Sequence, residues 1–284
     1  MVLLRRMAYR LTLGGVVVLA AVILLDWLGP DGLDGPLLGV LRLAAPVAIL
    51  LGVALNFLPG GDVTGPARAV HPPVTGRWMA LNSPATKVPS HGTRAYGQTY
   101  AIDLVYAPAD RDRPIFGTGP GMRPATDYPA FGEPVLAMVS GTVVRVRDGA
   151  RDHRSRSRMW SLLYLLIEGS LREFGGAGRV IGNHVVIDAG DGCFALVAHL
   201  QRGSTMVREG DRVQAGQPIG RCGNSGNTTE PHVHAQLMDR ASASTARGLP
   251  MSFADISIDD GPAETGLPAN QRHLTALPAV DRPS

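Results

Sequence analysis

Two apolar stretches at the start of the chain constrain its fold first. Leu11 to Leu28 is apolar apart from Thr12 and Asp26, and Leu37 to Leu58 is interrupted only by Arg42, Pro46 and Asn56. At about 1.5 Å per residue the first spans roughly 27 Å as a helix, close to the thickness of a bilayer's hydrocarbon core. Arg5, Arg6 and Arg10 precede it, as the basic region of a cleaved signal peptide would. The short A-x-A-like cleavage site is missing, however, and a second apolar segment follows at once. Residues 1–58 are therefore read as a membrane anchor of two hydrophobic helices, with the lipid bilayer as its partner.

The chemistry lies much further along. Glu230-Pro231-His232-Val233-His234-Ala235-Gln236-Leu237 carries two imidazoles at i and i+2 in a short apolar run. In a strand, alternate side chains share a face, so His232 and His234 point to the same side. Alone, H-x-H is a weak signal, more often two exposed or capped histidines than a metal site. Upstream, Ala198-His199-Leu200 follows the apolar run Cys193 to Val197. Asp103 interrupts the strand-like Tyr100 to Val105, and Ser90-His91-Gly92-Thr93 lies just before it. A buried acid is costly unless paired or metal-bound. A lone one is more often a cap or ion-pair partner, but the order His and Asp, His, then H-x-H changes those odds.

These motifs, in order, resemble the lysostaphin/LytM-type zinc metallopeptidases of family M23. Gly132-Glu133-Pro134-Val135-Leu136-Ala137 and Gly141-Thr142-Val143 resemble the opening strands. Gly182 to Ile187, Ala198-His199-Leu200, Val207 to Val213, Gly216 to Gly220, Gly223 to Asn227 and Pro231 to His234 follow in register. The resemblance covers residues 75 to 240. It implies a mainly β fold, with an antiparallel β-sheet core preceded by the two N-terminal transmembrane helices.

It also implies roles. Asp103 and His234 match the family's aspartate and C-terminal histidine ligands, and His199 and His232 its two non-ligand catalytic histidines. The family's first ligand histidine stands four residues before the aspartate, where this chain has Thr99. The nearest histidine upstream is His91, and a loop containing Gly92 and Gly97 can fold it back to the metal. His91 is taken as the third ligand. A two-ligand, metal-poor site and recruitment of His184 are the competing readings. Two histidines and a carboxylate leave a fourth position on Zn2+ for water. No H-E-x-x-H helix, G-x-S-x-G elbow or Walker loop is present.

The implied function is a membrane-anchored zinc metalloendopeptidase acting on peptidoglycan peptides. The alternatives are a non-catalytic LytM-like domain that binds and activates another cell-wall hydrolase, and a metal-binding domain facing the cytoplasm. The basic N-terminus favours the cytoplasm, and the loop Gly29 to Pro36, with Asp31 and Asp34, suits the outside. Two full spans would return the enzyme domain to the cytoplasm. The family resemblance argues instead for an extracytoplasmic catalytic domain.

The rest divides by composition. With 35 Gly and 22 Pro in 284 residues, the chain is rich in turn formers between short strands. Residues 59–74 read as a linker, 75–254 as the metallopeptidase domain and 255–284 as a flexible tail. Ala107 to Phe131 reads as a surface loop, and Asp148 to Gly178 as an insertion. That insertion opens with the basic run Arg151 to Arg158, facing lipid, wall polymer or, more often in such runs, solvent. Met159 to Ile167 is a short helix or strand. Val207 to Val213 reads as strand, turn, strand, and Gly223 to Asn227 as a loop that is either cleft wall or plain connector. A net charge of +3 without a concentrated basic, aromatic face gives no sign of nucleic-acid binding. Cys193 and Cys222 pair only if their strands are neighbours, and the chain does not otherwise rely on disulfides.

Overall fold

The computed structural model describes residues 2–28, 35–56 and 62–276. The chain forms two compact units, residues 1–61 and 62–284. The first is a helical pair, α1 (Val2–Leu28) and α2 (Pro36–Asn56). Arg10–Leu28 and Pro36–Leu55 are long and apolar enough to cross a membrane. Beyond Arg10 at its start, the charges inside these apolar segments meet: Arg42 donates to Asp26 at 2.6 Å, so neither stands alone. Most of the loop read as outside-facing, residues 29–34, lies outside the described residues.

The second unit is a sheet structure. In chain order its strands are β1 (Arg68–Val70), β2 (Gly76–Leu81), β3 (Ile102–Tyr106), β4 (Met122–Arg123), β5 (Pro134–Leu136), β6 (Gly141–Arg147) and β7 (Ser155–Arg156). Helices α3 (Met159–Phe174) and α4 (Ala177–Ile181) follow. Then come β8 (His184–Asp188), β9 (Phe194–Ala198), β10 (Arg212–Val213), β11 (Pro218–Arg221), β12 (Val233–Met238), β13 (Gly248–Leu249), β14 (Met251–Ile258), β15 (Ala263–Gly266) and β16 (His273–Ala276). The main sheet runs β1-β14-β16-β2-β3-β12-β9-β8-β6-β10, with β13 on β12 and β15 on β14. Every pairing in it is antiparallel except β1 with β14.

Period-two alternation builds the faces. Ile102 and Leu104 of β3 and Val233, Ala235 and Leu237 of β12 are fully buried in the main core, with Trp78, Val197, Phe253 and Leu274. The residues between them, Asp103, His234 and Gln236, therefore stand on the opposite face. Part of that face is closed by a smaller apolar cluster of Tyr96, Ile181, Val186, Leu196, Ala198 and Met238.

Three expectations are corrected. Residues 68–70 of the presumed linker form β1, and Val70 and Val74 are buried. The presumed tail supplies the second half of β14 (Met251–Ile258) and all of β15 and β16. Ile256, Leu274 and Ala276 enter the core, and β16 fills the place between β14 and β2. Strands this short, separated by Gly and Pro, carry too little periodicity to be seen in the sequence. Residues 277–284 lie outside the described residues. Of the strand pair expected at 207–213 only β10 forms, because Arg208 to Asp211 closes into a turn in which the Arg208 amide donates to the Asp211 carboxylate at 2.8 Å. The ambiguous segment after the basic run is α3, ended by Gly175-Gly176. Cys193 and Cys222 are both buried and free.

Candidate active site

Register brings the first two groups together. β12 runs antiparallel to β3 with His234 opposite Asp103. His234 Nδ1 lies 2.8 Å from Asp103 Oδ1. His91 arrives from a loop whose closure is specific: the Ser90 amide donates to the Thr99 carbonyl at 3.1 Å, and the Ser90 hydroxyl to the Gln98 carbonyl at 3.2 Å. This staple returns residue 91 to the place beside Thr99, and His91 Nε2 sits 3.0 Å from Asp103 Oδ2. One donor atom from each of His91, Asp103 and His234 lies within 4.8 Å of the others. Asn82 Nδ2 also donates to Asp103 Oδ2, at 2.8 Å.

The hydrogen-bond partners fix which ring nitrogens carry protons. Gln236 donates its amide to the Tyr96 carbonyl at 2.8 Å, so its Oε1, 2.8 Å from His234 Nε2, accepts a proton from that nitrogen. His234 Nδ1 is then a lone pair facing a carboxylate oxygen. Likewise the Ser90 hydroxyl proton is committed to Gln98, so Ser90 Oγ accepts from His91 Nδ1 at 3.0 Å. His91 Nε2 is left as a lone pair facing the other carboxylate oxygen. Two acceptors opposed at hydrogen-bond distance are stable only with a cation or proton between them. The donor set of two imidazole nitrogens and a carboxylate suits a divalent metal such as zinc.

His199 and His232 are built differently. Each donates Nδ1–H to a backbone carbonyl at 2.8 Å, His199 to Ser225 and His232 to Glu230. Both Nε2 lone pairs are thereby left for the cleft. The rings stand 4.8 Å apart, and His232 Nε2 is 3.5 Å from Asp103 Oδ1. His199 ends β9 in the left-handed region at φ +62°, a strained position for a residue with a Cβ. Gly182 permits the support beneath it. Its own φ is +73°, and a Cβ there would lie 2.5 Å from the backbone of Ser225, the residue that holds His199.

The protein groups give these side chains different affinities for protons. Burial alone raises the Asp103 pKa, but His91, His232 and His234 outweigh it and hold the carboxylate well below its ordinary value. Burial, with His232 and His234 adding to it, pushes His199 well below the usual imidazole value, so it stays neutral. Burial also disfavours a charged His232, but Asp103 more than offsets this and raises it.

All five predicted side chains, His91, Asp103, His199, His232 and His234, thus meet at one place. His184 does not join them. It stands on the same sheet face across Ala198 from His234, with its Nδ1–H donated to the Gly182 carbonyl. Thr99 is buried and contributes its backbone. Gly223 to Asn227 is a wall of the site, since it supplies Ser225. The loop Ala107 to Phe131 is tied to the same end: Arg113 forks onto the Glu230 carboxylate at 2.8 and 2.6 Å. Sequence reading passed over Gln236, Ser90 and Asn82. Gln236 was visible in principle, since H-x-H-x-Q continues the period-two face of β12.

A β-sheet bearing a buried His-Asp-His cluster beside two further histidines is a candidate metal-dependent site. The chain carries a domain of peptidase family M23, a metallopeptidase family whose model matches residues 166–246. That match contains His199, His232 and His234, whereas His91 and Asp103 lie ahead of it. The chain is 37% identical over 77 residues to peptidoglycan DD-endopeptidase ShyA of Vibrio cholerae serotype O1, covering 27% of this chain and 16% of that protein. It is 34% identical over 89 residues to glycyl-glycine endopeptidase ALE-1 of Staphylococcus capitis, covering 31% and 23%. The matched segment thus spans less than a quarter of either relative. Among solved structures, the catalytic domain of lysostaphin from Staphylococcus simulans aligns at 20% identity and a TM-score of 0.31, covering 65% of this chain and 86% of that one.

Proposed function

We propose that the protein is a membrane-tethered zinc metalloendopeptidase that hydrolyses peptide bonds in peptidoglycan, with its catalytic domain on the extracytoplasmic side. The observation that carries this reading is the opposition of the His91 Nε2 and His234 Nδ1 lone pairs to the two oxygens of Asp103. His91, Asp103 and His234 would hold the ion. Zinc, when bound, polarises a scissile carbonyl and makes a coordinated water acidic near pH 7.

The remaining steps belong to the chain. His199, neutral and with a free Nε2, accepts the proton of the attacking water as its oxygen bonds to the carbonyl carbon. His232, the more basic of the pair, donates toward the developing oxyanion when its Nε2 is also protonated, as the imidazolium that Asp103 favours. As the C–N bond breaks, the proton held on His199 passes to the leaving amine. The Ser225 and Glu230 carbonyls accept from Nδ1 of both rings and turn both Nε2 atoms toward the cleft.

The peptidoglycan substrate is supported by the two endopeptidase relatives and by the tether, which keeps the domain beside the wall. A non-catalytic activator would have no use for all five side chains. The test is digestion of purified muropeptides by the zinc-loaded full chain, with His232→Ala as the comparison. His232→Ala keeps its metal and loses turnover. Loss of metal in His232→Ala would overturn the role assignment, and an inert zinc-loaded parent would overturn the enzyme reading. An export-dependent reporter fused at the C terminus is active if the domain lies outside, and inactive if it does not.

A further inference from the structure

Helix α3 is built inside out. The ordinary helix of a globular domain turns its apolar stripe to the core and its charges to water. Here Met159, Trp160, Leu163, Tyr164, Leu166, Ile167 and Leu171 are all exposed, all but Trp160 and Tyr164 above 60%. At 3.6 residues per turn they share one arc of about 160°. Apart from Ser170, which stands within that arc and bonds the Leu166 carbonyl, the polar residues turn away from it. Ser161 is fully buried and bonds the Arg158 backbone, Glu168 pairs with the buried Arg156 at 2.5 Å, and Glu173 accepts from the Tyr96 hydroxyl.

The neighbourhood extends the pattern. The loop carrying exposed Ile115 and Phe116 is pinned beside the start of α3, where the Gly117 amide donates to the Ser157 carbonyl at 2.8 Å. The Trp160 ring packs on Gly121 and leaves more than half its surface open. Arg151, Arg154 and Arg158 are exposed at this end, and both acids of α3 are turned away. A contiguous apolar face of this size marks a docking surface. Its chemistry, aliphatic residues with Trp and Tyr and a basic border, matches an anionic lipid surface.

We infer that α3, with Ile115 and Phe116, lies in the headgroup region of an anionic bilayer and docks the peptidase domain on the membrane. The inference rests on the membrane-anchor reading. Twelve residues separate Leu55, the end of the second candidate span, from Arg68 of β1. Even fully extended they reach about 45 Å, so the tether holds α3 near lipid at high effective concentration.

The experiment uses the full chain in nanodiscs of phosphatidylethanolamine and phosphatidylglycerol, with one spin label at Leu163→Cys, Val47→Cys on α2, or Arg208→Cys on an exposed turn. Accessibility to oxygen and to a water-soluble nickel chelate is compared. The Leu163 label should be reached by oxygen and shielded from nickel, as at Val47 and opposite to Arg208, and should lose part of that shielding in phosphatidylcholine alone. A Leu163 label open to nickel while the Val47 label is shielded overturns the docking inference and leaves the anchor intact. Both labels open to nickel overturn the anchor as well. A Leu163 label shielded from both reagents marks a protein partner and also overturns the inference.

Discussion

Gln236→Leu is the sharpest probe of the proposed metal site, because Gln236 touches no metal and yet sets the proton on a ligand. Its side chain accepts from His234 Nε2 and donates to the Tyr96 carbonyl, both at 2.8 Å, and is 2% exposed. Leucine of similar volume leaves two buried groups without partners. Each costs about 1–3 kcal/mol, so the metal-free protein should lose roughly 2–6 kcal/mol of stability. His234 is also freed to place its proton on Nδ1, the atom that faces the metal position. Outer-shell changes of this kind weaken metal binding about 10–100-fold, which is about 1.4–2.7 kcal/mol. Gln236→Glu separates the two effects: its carboxylate still accepts from His234 but gives nothing to Tyr96, so stability falls while affinity holds. Zinc affinity would be read by chelator competition on the full chain in detergent, and stability by thermal unfolding of the metal-free form. If Gln236→Leu binds zinc within about twofold of the parent, the tautomer argument that defines the site is wrong.

Three further outcomes follow from the same geometry. His91→Ala should lower zinc affinity sharply while Thr99→Ala leaves it nearly unchanged, measured by the same competition, since of these two residues His91 is the one that brings a side-chain nitrogen to Asp103. Gly182→Ala should lose about 1–3 kcal/mol of stability and a large share of turnover, because a Cβ at φ +73° lies 2.5 Å from Ser225, which holds His199. Glu168→Gln should cost about 3 kcal/mol at neutral pH by leaving the buried Arg156 unpaired. Burial acts to raise the Glu168 pKa, but Arg156 and Arg172 outweigh it and the net shift is downward from 4.5. The stabilisation is therefore present above that value and fades as pH falls below it, so the parent and variant unfolding curves should converge in acid.

What the sequence disclosed was local and periodic. His232 and His234 share a face because strand side chains alternate, and Asp103 stands out because an acid inside an apolar run needs a partner. The parts that stayed hidden are non-local. Ser90, Gln98 and Thr99 look like ordinary loop residues until the hydrogen bonds among them close the loop and return His91 to Asp103. The second half of β14 and all of β16 were read as a tail because Ile256, Leu274 and Ala276 are spread over segments broken by turns, and only pairing with β2 and β1 shows the pattern. The polarity of α3 was hidden for another reason. Its apolar residues predict a buried stripe under the usual rule, and only the fold shows that Glu168 and Arg156 took the inside.

The inverted helix and the metal site share a side chain. Glu173 of α3 accepts the Tyr96 hydroxyl proton, the Tyr96 carbonyl accepts from Gln236, and Gln236 orients His234. Tyr96 itself is buried in the left-handed region at φ +60°, a costly conformation that persists only because neighbours hold it from both ends. The loop Ala95–Tyr100 is also the strip of backbone to which Ser90 is stapled, so the same segment positions both of the proposed ligand histidines. A chain with a ligand histidine four residues before Asp103 would not need that arrangement, since the residue next to the strand would bind directly. With Thr99 there, the proposed first ligand, His91, comes from a loop, and Tyr96 of that loop's partner segment bonds Glu173 of α3. Under the proposed ligand set, the contact of α3 with Tyr96 thus bears on the orientation of His234.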